Sequence, residues 1–309
     1  MPPLPFTKRS ESLNNLANQL QSRGLVVSDR DVLTHILEVV GYYRLSGYLY
    51  PFRLQDGTDN YIPGTTLETV WERYSFDRRL RLVTFDAISR VEVAIRAMIV
   101  RHQAEDSSDD PFLYRDPKFM PGLNARQHTK LLDEIDKAVQ KSKNEPCVQH
   151  FTSVYGLVNL PVWAVMELVS FGTVTYYYQG LPFPVKKKIC DHFHVHPSIF
   201  LGWLMALKRV RNICAHHGRL WNRQIDARVS QKIDRMPLLG DLYQCLKVQS
   251  GKSTTTMFSV LSICAFCLRE IRPESKWRDR LKKTLKDYPN IPLQEMGFPP
   301  NWKSLALWK

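Results

Sequence analysis

The chain has 309 residues, 44% apolar and 24% charged, enough for one large core or two smaller ones and ordinary in charge content. No run approaches the ~18 uninterrupted apolar residues of a membrane span, and Met1-Pro2-Pro3-Leu4-Pro5 lacks the basic-then-apolar layout of a secretion signal, so the expected compartment is the cytoplasm. Lys and Arg outnumber Asp and Glu by 43 to 30, and the resulting net charge of +13 favours a polyanionic partner, nucleic acid first, over the plain alternative of a protein that is merely basic.

In chain order the pattern is helical. Residues 10–23 and 28–40 each open on a serine suited to N-capping and carry apolar residues at helical spacing. Residues 41–52 are aromatic-rich, bounded by Gly41 and Pro51, and do not read as a plain helix. Asp56-Gly57 suits the turn of one small hairpin. The longest periodic segment is 66–102, where Ile88, Val91, Ile95 and Met98 recur at three or four residues without Pro or Gly. Residues 103–122 predict a loop. Helical patterns return at 124–143, 161–179, 184–193, 197–217 and 253–270, before a looser, Pro-broken basic tail from 272. The fold class is therefore all-α in the main. Its organisation is an N-terminal extension over 1–65 packed on a helical core over 66–250, with a helical and basic tail over 251–309 in the same globule.

Candidate sites separate into weak and strong. The six cysteines lie among apolar residues and read as core; Cys264 and Cys267 form one C-x-x-C, but without a second pair at zinc spacing no metal site follows. His192, His194 and His196 alternate with Phe193 and Val195 and read as surface histidines. Ser250-Gly251-Lys252-Ser253-Thr254 has the end of a phosphate-binding loop but Leu246 where its first glycine belongs, so that motif is rejected. No cofactor is expected. Tyr42, Tyr43, Arg44 and Tyr48 mix aromatics with a cation, as base-stacking surfaces do, although the tyrosines fit a packing plug better.

The strongest constellation is Arg211-Asn212-Ile213-Cys214-Ala215-His216-His217. If 197–217 is one helix, Trp203, Leu207, Val210, Cys214 and His217 fall within about 40° of one line, the core stripe. Met205, Arg209, Asn212 and His216 then lie on the polar face. His217 is expected to point inward, Asn212 to reach the His216 imidazole four residues on, and Gly218 to end the helix. A histidine that titrates near neutrality and a permanently charged arginine suit metal-free cleavage of an RNA phosphodiester. On an ideal helix Arg211 and His216 stand 140° apart, by the 100° step per residue, which favours a site completed across a dimer.

This segment, continued by Arg219-Leu220-Trp221-Asn222-Arg223, resembles the R-x4-H signature of HEPN ribonucleases, in the form found in abortive-infection proteins related to AbiD and AbiF. Pro5-Phe6-Thr7, Gly24-Leu25, residues 42–48, Phe76-Asp77-Arg78-Arg79-Leu80-Arg81, residues 88–96, 161–167 and Phe171-Gly172-Thr173 follow the same family in the same order. Residues 103–150 and those after 250 do not. The resemblance implies an HEPN-like helical bundle and an endoribonuclease toxin of anti-phage or toxin–antitoxin systems. It also implies homodimerisation to form one composite site, and RNA partners that include a small structured non-coding antitoxin RNA. By resemblance Arg211 stabilises the scissile phosphate and His216 is the general acid and base, with His217 in support; Asn212 joins them by its helical spacing, and Glu92 with Arg96, four residues apart, is either an orienting element of the site or a plain intrahelical ion pair. The cations expected to hold RNA are Arg44, Arg78, Arg79, Lys208, Arg209, Arg219 and Arg223. The alternatives are a non-catalytic RNA-binding or sensing protein and, last, a DNA-binding regulator.

Overall fold

Side-chain capping opens several of the helices. The computed structural model describes residues 9–106, 109–227, 229, 233, 236–247 and 255–309. Among them are thirteen α-helices and three isolated β-bridges but no strand, so the all-α expectation holds. The Pro5–Thr7 block, the 250–254 segment and the start of the helix expected over 253–270 lie outside the described residues.

One compact unit comprises Met1–Arg79 with Thr284–Ile291. Its helices are α1 (Leu13–Ser22), α2 (Arg30–Val39), α3 (Tyr42–Leu49) and the first turns of α4 (Leu67–Asp106). The caps are Ser12, which accepts from the Asn15 amide at 3.2 Å, and Asp29, which accepts from Asp31 at 2.8 Å. They displace the expected Ser10 and Ser28 because each stands directly at the first helical turn. Ser28 instead donates to Glu68 at 2.6 Å.

The aromatic block 42–48 is a helix, contrary to its reading as irregular. Leu45, Tyr48 and Leu49 form an i, i+3, i+4 stripe that is buried, and this outweighs the glycine at 47. Tyr48 is the plug, donating to the buried Asp77 carboxylate at 2.6 Å. Tyr43, 92% exposed, plugs nothing. The expected hairpin is one bridge long, Arg53 against Tyr61, with Leu54 N–H on Asn60 O at 2.9 Å and Gly57 at a positive φ of 81°. Phe76 meets Tyr288 edge-on, and Asn290 donates to Glu72 at 3.2 Å, which ties 284–291 into this unit.

The second unit comprises Leu80–Lys283 with Pro292–Lys309. It holds the rest of α4, then α5 (Ala125–Lys141), α6 (Pro146–Val154), α7 (Val162–Leu168), α8 (Phe171–Gly180), α9 (Phe183–Asp191), α10 (Pro197–Ala215), α11 (Gly240–Lys247) and α12 (Met257–Ile271). The last helix, α13 (Trp277–Asp287), starts here, in what reads from sequence as loose tail. Where one helix is expected over 161–179 there are two. Val169 is extended at ψ 155°, and Ser170 caps α8 by accepting from Thr173 at 3.2 Å.

Every residue of α12 from Met257 to Leu268 is buried, as befits a helix apolar all round. Cys264 and Cys267 are part of that core, and burial pushes both thiols up. α10 packs against α8, α9 and α12, with Trp203 edge-on to Phe266 at 5.9 Å. It carries Arg209, Arg211 and Asn212 and ends just before His216.

Candidate active site

Helix α10 starts on Pro197, whose missing N–H costs nothing in the first turn, and its cap is His196, which accepts from the Ser198 amide at 3.3 Å. Trp203, Leu207, Val210 and Cys214 are buried and Met205, Arg209, Asn212 and His216 exposed, as the 100° step predicts. Leu204, Ala206 and Ile213 are buried too, so the stripe is wider than the spacing implies.

The expectation for His217 is overturned. The helix ends at Ala215, His216 is its C-cap, and His217 has a left-handed φ of 55°. The Gly218 amide donates to Ile213 O at 2.8 Å and the His217 amide to Cys214 O at 3.1 Å, which together make a Schellman turn. The helical step no longer applies at 217, so its side chain comes out exposed instead of joining the core stripe. Gly218, expected to end the helix, is the residue after the left-handed one.

Arg211 is half-buried. Its Nε lies 3.7 Å from a Glu92 carboxylate oxygen, an ion pair too long for a hydrogen bond. Its guanidinium carbon is 5.8 Å from the centre of the Phe85 ring, and Nη1 donates to Asn212 Oδ1 at 3.5 Å. Glu92, only 7% exposed, also pairs with Arg96 one turn on. Arg96 in turn donates to the Met166 carbonyl and, at 2.8 Å, to the Val169 carbonyl. The kink between α7 and α8 frees those carbonyls, and a cation at a helix C-terminus satisfies them. So Arg211, Glu92 and Arg96 form one chain from α10 through α4 to the α7 end.

The His216 imidazole makes no hydrogen bond to a described residue, and the Asn212 amide turns to Arg211 instead of to it. The expected Asn212–His216 contact is thus not formed. Of the candidate RNA contacts, Arg209 is exposed and Lys208, Arg219 and Arg223 half-buried, all on or just after α10; Arg223 donates to Arg219 O at 3.5 Å. Arg44, Arg78 and Arg79 are exposed on the other unit. The three histidines 192, 194 and 196 are exposed, as expected, with His194 3.5 Å from Glu270. No three His, Cys, Asp or Glu side chains gather as metal ligands among the described residues.

Two residues near this site are not picked out as site residues by the sequence. Arg81, 7% exposed, donates to Gly218 O at 3.4 Å and braces the Schellman turn, and Phe85 floors the Arg211 guanidinium. The available signal is polar residues on an apolar stripe: Asp77, Arg81 and Glu92 fall within about 60° of the line through Ile88 and Ile95.

Over residues 35–222, from α2 to just past this turn, the chain matches the family model described as Abi-like protein. The chain belongs to the Abi-like protein family. The match includes every member of the Arg211–Glu92–Arg96 chain and the whole of the turn that carries His216, and it supports an abortive-infection role. No curated protein and no solved structure matches. No helix among the described residues is long and apolar enough to cross a membrane.

Proposed function

We propose that this Abi-like protein is a metal-independent endoribonuclease of the HEPN type, of the AbiD/AbiF kind, acting in the cytoplasm as an abortive-infection toxin under the restraint of an RNA partner. One observation carries the reading: an exposed histidine without a hydrogen-bond partner among the described residues sits at the end of α10, one turn past an arginine fixed by a buried carboxylate. His216 takes the proton from the RNA 2′-hydroxyl, the freed oxygen attacks phosphorus, and the 5′-oxygen leaves with a proton returned by a histidine acting as acid. The products are a 2′,3′-cyclic phosphate and a 5′-hydroxyl. Arg211 offers a planar fork of donors to the phosphate as its charge grows, and Glu92 keeps that fork oriented. Asn212 and His217 supply polar contacts beside it, and Arg96 holds Glu92.

Arg211 faces Glu92 and Phe85, not His216, so one chain does not converge the two groups. A homodimer that brings His216 of one copy to Arg211 of the other resolves this. Lys208, Arg209, Arg219 and Arg223 are the cations that hold the strand beside the cleavage residues, and Arg44, Arg78 and Arg79 are RNA contacts of the other unit taken by itself. The test is cleavage of RNA by purified protein in the presence of a chelator, with end-group analysis of the products. Mixing Arg211→Ala and His216→Ala protein restores part of the activity only if the site is shared between copies.

The missing contact between Arg211 and His216 also favours a second reading, a non-catalytic RNA-binding or sensing protein of a defence system. In that case both variants weaken RNA binding and no cyclic phosphate forms.

A further inference from the structure

A cleft of about 650 Å³ opens between α5, the α7–α8 junction and α10. Four lysines line it, Lys130, Lys137, Lys141 and Lys208, against the single carboxylate of Glu134. The α5 members follow from spacing: residues 130, 134, 137 and 141 fall within about 60° of one another on a helix. The buried residues of α5 (His128, Leu131 and Ile135) lie on a different side.

The far wall offers backbone donors. It is the first turn of α8, where Ser170 satisfies the Thr173 amide while the amides of Phe171 and Gly172 have no described acceptor. Gly172 carries no side chain, and a Cβ there would lie 3.3 Å from Ser170 Oγ and 3.8 Å from Lys208 Cδ. The carboxylate is already engaged, since Glu134 accepts from Thr173 Oγ1 at 3.1 Å. Half-buried Tyr176 completes the lining, with Lys130 Nζ 5.6 Å from its ring centre. An aromatic face beside a row of cations is how proteins hold single strands, stacking a base while neutralising phosphates. A free phosphate has no use for the ring.

We propose that this cleft binds the phosphates of a single-stranded RNA, with Lys130, Lys137, Lys141 and Lys208 on the backbone and Tyr176 under a base. The choice of RNA rests on the endoribonuclease reading; the phosphate chemistry does not. Lys208 lies one turn before Arg211 on α10. The Arg96 side chain that pairs with Glu92 also holds the carbonyls of Met166 and Val169, which flank Leu168 of the cleft wall. The cleft is thus a positioning groove that leads to the cleavage residues.

The test is fluorescence anisotropy of a labelled single-stranded oligoribonucleotide over a range of salt, in the His216→Ala background so that the strand stays intact. The double variant Lys137→Ala/Lys208→Ala binds roughly tenfold more weakly, and its slope of log affinity against log salt falls by about 1.4, two contacts at about 0.7 each. Glu134→Gln binds about threefold more tightly, a gain that misfolding does not mimic. Unchanged affinity and slope in the double variant overturn the cleft while leaving the cleavage reading intact. Competition by inorganic phosphate as effective as by unlabelled RNA identifies a free-phosphate site and overturns it too. Binding that follows these expectations in a wild-type protein without cleavage activity overturns the endoribonuclease reading and leaves the cleft standing.

Discussion

Glu92 and Arg211 meet at 3.7 Å across two helices, and the same carboxylate is shared with Arg96. A carboxylate only 7% exposed and flanked by two guanidiniums is a fixed reference point. Arg96 anchors it to the end of α7, so the orientation of Arg211 depends on backbone far from α10.

Removing that reference should cost stability and activity separately. Glu92→Ala leaves Arg96 buried beside two carbonyls with its charge uncompensated, at a cost of about 3 kcal/mol by urea denaturation. Glu92→Gln keeps a hydrogen-bond acceptor and loses less stability. Its RNA cleavage rate should still fall, because a neutral amide does not hold the Arg211 fork.

His217 offers a test of backbone conformation. Its φ of 55° costs an L-residue about 1 kcal/mol, and glycine adopts it without strain. His217→Gly should therefore melt above His217→Val, since both lose the imidazole but only the branched valine is strained at that φ. Cleavage by the glycine variant should fall less than that of His216→Ala, since the proposed proton carrier is His216.

The fold was legible where periodicity is long and uninterrupted. α4, α5 and α10 follow from apolar spacing, and the exposure of Arg209, Asn212 and His216 follows from one helical step repeated. What failed depended on geometry that the step does not carry. His217 lies beyond the last helical residue, so extrapolating the stripe put it inside. The α7–α8 break is dictated by Ser170 as a cap and by Arg96, a partner distant in sequence. α3 was obscured because its aromatics and Gly47 look irregular until Leu45, Tyr48 and Leu49 are seen as one buried face. For the site, the pairing of Arg211 with Glu92 joins two helices, and no single-helix pattern contains it.

Buried Tyr48 and Asp77 make the clearest stability test in the N-terminal unit. Tyr48→Phe removes the hydroxyl that donates to a fully buried carboxylate at 2.6 Å. A loss of about 1–3 kcal/mol is expected, read as a lower denaturant midpoint with unchanged slope.

The thiols set an alkaline limit. Burial raises Cys190 from 9.0 to about 12 and Cys245 to about 11. In the unfolded chain these groups ionise near 9, while in the native state they hold their protons to higher pH. Their contribution is therefore fully present below pH 9 and is lost as pH rises through about 11 to 12. Thermal melts should fall across that window. At neutral pH an alkylating reagent should modify exposed Cys147 quickly and the five buried cysteines only on unfolding.

Cleavage of single-stranded RNA in excess chelator tests the proposed roles of Arg211 and His216 most directly. Wild-type protein should yield 2′,3′-cyclic phosphate ends, and Arg211→Ala and His216→Ala should each lose at least about a hundredfold in rate while still unfolding cooperatively from the native fold. Cleavage that persists at the wild-type rate in both variants would contradict the assignment.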